Sequence, residues 1–394
     1  MKWLTTIIRD ETRYLLGGKV PLLLIIFFVP LLFAVLFGFV YEKNVVNNIP
    51  LAVYDQDQSS LSRQLIQMYD DTERFNIAVY VSDQQELEEA INDGTALAGL
   101  QIPRNFSKDV KGGNASNILF ITNSANNMFG NAAISTTQEV SRTFAVAVSK
   151  SMLQAGGILP DAAIHAAYPV QLGVRILNNP TTGYSSFMLS GLMMNGFQIG
   201  LMICFAPVVV TELLRRRYSR ECPSVYILVG KAVPYWLASI PAFFLALAVT
   251  VYGFDVPMRG SWLDAGVLAG AFAFFLIGVL MIFSACCPSR ELSLQAPMVY
   301  IMPGLLYSGL SWPPFSMNDL AYAISFVMPM TRAGDNLRDI LLSGYAPTLW
   351  GDCGAMIIGG VISTATAVGI FSFRRHFGGL RSILHRMKKG GTPT

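Results

Sequence analysis

The residue types that carry enzyme chemistry are sparse in this 394-residue chain and are not spaced as a catalytic or metal site. Its three histidines and five cysteines form neither a CxxC pair nor an HExxH sequence, so a zinc or haem site has little to be built from. Asp55 and Asp57 lack the glycine and glutamate of a calcium loop, which favours a polar turn after a strand. Gly230-Lys231 lacks the upstream glycine of a phosphate-binding loop. The sequence therefore predicts a chain that is not an enzyme and has no cofactor or metal of its own.

The composition indicates a membrane protein. Hydrophobic residues make up 53% of the chain and charged residues only 13%, against about 25% charged in a typical soluble domain. Six runs of about 20 residues contain no Asp, Glu, Lys, Arg or His, which is long enough to cross a bilayer as a helix. The runs are Val20–Val40, Ser186–Thr211, Ala232–Tyr252, Ala265–Ala285, Leu292–Leu310 and Gly354–Phe373. We expect a polytopic α-helical membrane protein with six transmembrane helices and an inserted α/β extracytoplasmic domain. The first span is predicted to remain as an anchor, because no small-residue cleavage site follows it.

The charges between the spans indicate the orientation. Segments 1–19, 212–231, 286–291 and 374–394 together carry 16 basic and 5 acidic residues, whereas the alternate segments carry 12 basic and 20 acidic ones. The positive-inside rule then places both termini in the cytoplasm. Residues 1–19 are predicted to form an amphipathic helix at the cytoplasmic membrane surface, and residues 374–394 a basic cytoplasmic tail. This distribution also explains the net charge of +3 without a nucleic-acid partner.

The long segment between the first two spans, residues 41–185, alternates strand and helix patterns, which predicts an α/β domain with a largely parallel sheet. Predicted strands begin at Ile49, Phe75, Ala96 and Ala115, and predicted helices at Ser59, Ser82 and Asn126. Ser82 is the expected N-cap of its helix and Gly94 its end. Residues from Tyr168 to Ile176 are expected to form a returning strand.

The uncharged spans indicate how transport would be driven. Ion-coupled transporters place ionisable groups within the bilayer, and these spans have none, so the free energy would come from a separate ATPase subunit. The polar residues Asn195, Gln198 and Gln295 either line a pathway or form interhelical hydrogen bonds, and the second interpretation is favoured.

Two motifs lie in the second half of the chain. The first comprises Ser308-Gly309, Pro313-Pro314, Met317, Met328-Pro329-Met330-Thr331, Leu337-Arg338 and Gly344. The second is a predicted cytoplasmic loop, residues 212–231, that runs from Glu212 through Arg215-Arg216-Arg217 to Gly230-Lys231. Both are similar to motifs of the type-2 ABC exporter permeases, although Cys222-Pro223 stands in place of the family's usual Thr-Pro. The large domain after the first span resembles the multidrug or lipid efflux subgroup of that family.

The resemblance implies a multi-pass permease of the bacterial inner membrane. Its partners would be a cytoplasmic ABC ATPase subunit that binds ATP-Mg, a second permease copy or sister permease, and membrane lipid. A periplasmic adaptor is a further candidate partner. A short coupling helix between the second and third spans would contact the ATPase. The residues assigned to coupling are Glu212, Arg215, Arg216, Arg217, Gly230 and Lys231. The residues assigned to the pathway or exit gate are Asn195, Gln198, Gln295, Ser308, Gly309, Trp312, Pro313, Met317 and Pro329.

Three alternatives stay open. The arginines at 215–217 bind acidic ATPase groups or anionic lipid headgroups, or they only set the topology. Residues 311–338 are expected to be re-entrant or interfacial; their aromatic residues Trp312, Phe315, Tyr322 and Phe326 line the exit or form an interfacial belt. The whole chain is an exporter permease of amphipathic substrates such as drugs or lipids, or a membrane-anchored receptor whose outer domain binds a ligand or partner without transport.

Overall fold

The computed structural model describes residues 2–17, 22–170, 172–219 and 221–388, with side chains from residue 3 to residue 376 within those ranges. It divides into two compact units: Met1–Asn44 with Ile176–Thr394, called the helical unit here, and Val45–Arg175, called the α/β unit. The helices, in chain order, are α1 Lys2–Gly17, α2 Leu22–Val40, α3 Ser60–Asp70, α4 Gln84–Asn92, α5 Phe106–Lys111, α6 Asn127–Ala155, α7 Pro160–Ala167, α8 Tyr184–Arg215, α9 Ser224–Gly253, α10 Trp262–Cys286, α11 Arg290–Ile301, α12 Gly304–Tyr307, α13 Asp319–Val327, α14 Pro329–Leu342 and α15 Leu349–Lys388. The strands are β1 Ile49–Asp55, β2 Phe75–Tyr80, β3 Ala98–Ile102 and β4 Leu119–Thr122.

Five helices of the helical unit are long and apolar enough to cross a membrane: α2, α8, α9, α10 and the part of α15 from Leu349 to His376. Small residues bring two of these helices together. A Cβ atom at Gly278 of α10 would lie 2.9 Å from the carbonyl oxygen of Gly360 in α15. Such close backbone approach is typical of helix pairs in membranes, where apolar surface alone does not drive association.

The predicted span Leu292–Leu310 is wrong as a single helix. The chain forms α11 and then the one-turn helix α12, with Met302 and Pro303 between them. Proline has no N–H to donate and its ring collides with the preceding turn, so a regular helix is interrupted there. One other predicted boundary changes as well. Helix α15 continues past Phe373 into the basic tail, because charged residues end the apolar part of a helix without ending its hydrogen bonding.

The predicted short coupling helix is also wrong for the part of the loop that the structure describes. Helix α8 ends where Arg216 adopts a left-handed conformation, with φ +47°, and α9 begins after Pro223. Residues 216–219 and 221–223 form no helix between them. Glu212 therefore belongs to α8, and Gly230 and Lys231 belong to α9.

The α/β unit contains a four-stranded sheet of order β2-β1-β3-β4. β1 is parallel to β2 and β3, and β4 is antiparallel to β3. Because successive side chains of a strand point to opposite faces, β1 contributes to two cores. Leu51 and Val53 pack with residues of α3 and α6, while Ala52 packs with Leu87 and other residues of α4.

Two local predictions in the α/β unit are wrong. Asp83 rather than Ser82 is the N-cap of α4, since Asp83 Oδ1 accepts from the Glu86 N–H at 2.7 Å, and the Ser82 N–H donates to the Glu86 side chain. The segment from Tyr168 to Ile176 forms no strand in its described residues. Its apolar side chains, such as Val170 and Val174, are mainly exposed. The alternation of apolar and polar residues therefore did not produce a strand, because the segment packs against neither a sheet edge nor a core.

Candidate functional site

The amphipathic helix α1 packs directly on the beginning of α9. A Cβ atom at Gly230 would lie 2.8 Å from Cγ2 of Ile7, which is closer than such contacts occur in proteins. Ile7 is fully buried in the core of the helical unit. Glycine at position 230 therefore allows α1 to approach the backbone of α9.

Three charged side chains meet at this contact, and we call Glu11, Glu212 and Lys231 the ionic cluster. Lys231 Nζ lies 2.8 Å from Glu11 Oε2 and 3.4 Å from Glu212 Oε2. Each of the three residues is at most 5% exposed. Because a buried charge without a partner is strongly unfavourable, the cluster holds α1, α8 and α9 in one arrangement.

Two tyrosines complete the surroundings of the ionic cluster. The Tyr235 hydroxyl donates to Glu11 Oε1 at 3.2 Å, and the Tyr218 backbone N–H donates to Glu212 Oε1 at 3.3 Å. The Lys231 ammonium lies 5.9 Å from the centroid of the Tyr218 ring, within cation–π range. Burial raises the pKa of Tyr218 to about 12, so its hydroxyl stays protonated at neutral pH. The cluster thus connects the end of α8 to the loop that follows it.

The sequence pointed to Glu212, Gly230 and Lys231, and the structure brings these three together. It missed Glu11, although a signal was present. Ile7, Glu11 and Leu15 follow one another at intervals of four residues, so Glu11 lies on the apolar face of α1. An acidic residue on a buried face requires a basic partner.

The three consecutive arginines do not join the ionic cluster. Arg217 pairs with Asp10 of α1 at 3.2 Å, and about half of its side chain is exposed. Arg215 and Arg216 are exposed. Their predicted role in coupling remains a prediction.

Two arginines of α15 that directly follow its predicted apolar span hydrogen-bond with the neighbouring helix ends, a role that the sequence did not reveal. Arg375 donates to the carbonyl oxygens of Tyr218, Ser219 and Cys222 in the loop between α8 and α9. Arg374 donates to the carbonyl oxygens at the end of α10. The α8–α9 loop is therefore fixed by α1 on one side and α15 on the other.

A second polar group lies in the interior of the helical unit, at the break between α11 and α12. Gln198 donates to Asn195 Oδ1 at 2.7 Å and to the carbonyl oxygen of Ile301 at 3.4 Å. We call Asn195, Gln198 and this carbonyl the amide cluster. Both side chains are buried, whereas Gln295 of α11 is exposed and lies outside the cluster. The hydrogen bond from Gln198 of α8 to the Ile301 carbonyl of α11 joins two helices, as the favoured interpretation of Gln198 expects.

The residues of the first motif shape the turn after α12 and the start of α14. Gly309 has φ +82°, a conformation that glycine adopts without strain, and a Cβ atom there would lie 3.1 Å from Pro314. The buried Ser308 hydroxyl donates to the Leu305 carbonyl at 2.6 Å. Thr331 Oγ1 donates toward the carbonyl oxygens of Tyr307 and Ser325, at 3.2 and 2.8 Å. Thr331 therefore connects the ends of α12 and α13.

The other residues predicted to form the exit gate differ in how deeply they are buried in the protein. Pro329 is buried as the first residue of α14, Met317 is half-buried and Pro313 is exposed. Trp312 is exposed and donates through Nε1 to the Ser316 carbonyl at 3.1 Å. Phe315, Tyr322 and Phe326 are exposed as well, which leaves both interpretations of these aromatic residues in place.

A family model for ABC-2 family transporter proteins matches residues 21–368. The chain belongs to this family. It is 23% identical over 378 residues to a probable multidrug ABC transporter permease, YbhR, of Escherichia coli strain K12, covering 94% of this chain and 98% of that one. A probable multidrug ABC transporter permease, YbhS, of the same strain is 24% identical over 132 residues, covering 33% of this chain and 35% of that one. ABC transporter G family member 20 of Dictyostelium discoideum is 23% identical over 173 residues, 43% of this chain and 24% of that protein.

Family membership identifies this ABC-2 chain as an ABC transporter permease and a multi-pass membrane protein. Within the described residues of this permease, no group of three or more His, Cys, Asp or Glu side chains is arranged to hold a metal ion. Its two buried polar clusters instead connect helices. The ionic cluster ties an amphipathic helix to two apolar helices, and the amide cluster supports a broken helix.

Proposed function

We propose that this permease is the membrane subunit of an ATP-driven exporter that moves an amphipathic, drug-like or lipid-like substrate out of the cytoplasm or the inner leaflet. A separate cytoplasmic subunit binds ATP-Mg and hydrolyses it. The full-length similarity to a probable multidrug permease supports the substrate class. The charge distribution supports a bacterial inner-membrane protein with both termini in the cytoplasm and the α/β unit outside. In this arrangement α11 and α12 together make the fifth of six crossings.

The ionic cluster carries the proposal for coupling. Glu11, Glu212 and Lys231 come from three helices whose nearby ends lie in segments with an excess of basic residues. A displacement of α1 or of the α8–α9 loop by the ATPase subunit reaches α8 and α9 directly, because the three helices cannot separate without exposing buried charges to an apolar environment. The amphipathic helix and the loop are thus the surfaces where the ATPase subunit acts.

The pathway is proposed to lie between two permease copies or between this chain and a sister chain. The broken helix α11–α12 supports this assignment, since irregular backbone at membrane depth is found where protein or a water-filled cavity covers it. Gln198, Ser308 and Gly309 shape that segment from inside the helical unit. Trp312, Pro313 and Met317 lie near the outer mouth. A periplasmic adaptor is a further proposed partner.

The test is purification of the full-length permease from native membranes in mild detergent, followed by reconstitution and measurement of ATP hydrolysis and substrate efflux. We expect an ATP-binding subunit to co-purify, and Glu212→Gln to reduce the ATP-dependent efflux while leaving complex formation intact. Glu221→Gln is the matched control, because Glu221 lies in the loop that follows α8 but is exposed.

Two results would contradict the proposal. A permease that purifies without any ATP-binding subunit and shows no ATP-dependent efflux would support the membrane-anchored receptor instead. Equal efflux with Glu212→Gln, Glu221→Gln and the unmodified chain would remove the ionic cluster from coupling.

A further inference from the structure

The longest helix of the α/β unit extends well beyond the sheet that it covers. Helix α6 has 29 residues and is about 44 Å long, whereas the longest strand has seven residues and spans at most about 24 Å. In the first half of α6 the residues Gly130, Ala133, Thr137 and Val140 are buried. The same face continues into the second half, where it needs a different partner.

The second half of α6 forms one wall of a cavity of about 590 Å³. The α6 residues that line this cavity follow helical spacing along a single face: Ser141, Phe144, Ala145, Val148, Ser149, Met152 and Leu153. The opposite walls come from α5, the segment 113–118 and the end of α7. The helices α5 and α7, which the sequence did not predict, thus cover part of the surface of α6 that the sheet leaves uncovered.

The cavity has an apolar wall and a neutral polar wall. Phe106 of α5 and Phe144 of α6 stack with ring centroids 5.9 Å apart. Polar atoms are provided by serine hydroxyls at 116, 141 and 149 and by the amide of Asn114. None of the described residues that line the cavity is charged. Because an ionised group placed here would lose hydration without gaining a partner charge, the lining favours a neutral ligand.

We propose that this cavity binds a small uncharged amphipathic molecule. Its apolar part lies against Phe106 and Phe144, and its neutral polar group hydrogen-bonds with Ser141 and Ser149. The volume is within the range of about 300–1,000 Å³ that is typical of small-molecule sites. The site goes beyond the proposed export function, since binding here requires neither ATP nor an ATPase subunit.

The test uses the full-length chain in lipid nanodiscs and a dodecanol that carries a photoreactive diazirine. After illumination and trypsin digestion, mass spectrometry quantifies adducts on the peptides 143–150 and 151–175 of α6 and α7. We expect saturable labelling of these peptides by the alcohol. The dodecyl sulfate analogue with the same diazirine should label them at least ten-fold less.

Substitutions on the same helix localise the site. Ala145→Trp places an indole in the cavity and should abolish the saturable labelling, whereas Ala147→Trp, on an exposed part of α6 outside the lining, should leave it unchanged. Ser141→Ala and Ser149→Ala should each raise the concentration for half-maximal labelling about five-fold, as expected for the loss of one neutral hydrogen bond.

Equal labelling of the Ala145→Trp and Ala147→Trp variants would overturn the proposal, as would labelling confined to the membrane-spanning peptides. Preferential labelling by the sulfate would show that the ligand class is wrong. All three results are independent of whether the reconstituted permease hydrolyses ATP with a partner or exports a substrate.

Discussion

The helical unit anchors α8 to its neighbours in two chemically different ways. Near its end, α8 contributes Glu212 to the ionic cluster, and about 21 Å earlier along its axis it contributes Gln198 to the amide cluster. The first contact uses three charges and the second uses none. In α8, the charged contact lies at the end of the apolar sequence. Within the apolar sequence, the neutral amide of Gln198 pairs with a carbonyl oxygen at the break between α11 and α12.

This difference has an energetic consequence. Removing Lys231 leaves two carboxylates buried without a partner, and removing either glutamate changes the charge that Lys231 faces. Removing Gln198 leaves only neutral polar groups unsatisfied. The ionic cluster should therefore act as a unit whose members depend on one another. The amide cluster should respond weakly and locally.

The largest expected effect comes from Lys231→Met. This change leaves Glu11 and Glu212 buried without their ammonium partner and should lower the free energy of unfolding by about 3–5 kcal/mol. The measurement is unfolding of the purified chain in mixed micelles titrated with SDS. Adding Glu11→Gln and Glu212→Gln to this variant should restore most of the loss, because the amides keep acceptors for Tyr235 and Tyr218 without the charge.

Failure of the glutamine substitutions to restore stability would contradict the energetic difference between the ionic and amide clusters. If the triple variant were as unstable as Lys231→Met alone, the loss would come from the missing lysine stem and not from unpaired carboxylates. The ionic cluster would then differ from the amide cluster in packing rather than in charge.

The next effect is expected at the contact between α1 and α9. Gly230→Ala would place a methyl group 2.8 Å from Ile7 Cγ2 and should cost about 1–3 kcal/mol of unfolding free energy through overpacking. Gly369→Ala in α15 is the control, because a Cβ atom there meets nothing within 4 Å. Alanine is a better helix former than glycine, so the control should gain about 0.5–1 kcal/mol.

The two glycine variants also test whether α1 is in contact with α9 in the membrane. If Gly230→Ala stabilised the chain as Gly369→Ala does, α1 would not be held against α9 in the membrane, and the ionic cluster would lack its third helix.

A smaller effect is expected at the amide cluster. Gln198→Leu removes hydrogen bonds to Asn195 and to the Ile301 carbonyl and should cost about 1–2 kcal/mol, measured in the same micelle titration. Gln295→Leu is the matched control, since Gln295 is exposed on α11 and should change stability by less than about 0.5 kcal/mol. If Gln198→Leu lowered the free energy of unfolding as much as Lys231→Met, the expectation that the charged contacts contribute more to stability than the neutral ones would be contradicted.

The sequence predicted the apolar helices well but not where their hydrogen bonding fails. The mean hydropathy of a segment indicates whether it is apolar enough to lie in a membrane, but not whether its helix is continuous. Residues 292–310 are apolar enough in either case. Pro303 determines the break, and the predicted span treated it as one apolar residue among others. The same limitation explains α15, whose helix continues beyond its apolar part.

Two of the three charged residues of the ionic cluster were predicted from the sequence. Glu212 and Lys231 were recognised through a family motif, and position 11 was overlooked because α1 was considered as a surface helix with its charges facing water. A pairing argument across the chain would have found it, since the buried face of α1 contains Glu11 between Ile7 and Leu15. Coverage of α6 by α5 and α7 could not be predicted, because short helices have weak periodic patterns.

The smallest effect concerns the partly exposed ion pair between Arg217 and Asp10, which connects the loop after α8 to α1. Arg217→Gln should cost less than about 1 kcal/mol of unfolding free energy, because the pair is partly hydrated and its attraction is screened by salt. The difference from the unmodified chain should disappear in about 1 M salt, and Arg215→Gln, at an exposed position, should show no difference at either salt concentration. Loss of Lys231 should be nearly independent of salt, since its partners are buried. If both losses depended equally on salt, water and ions would reach the ionic cluster, and burial would no longer explain why charge and amide contacts differ.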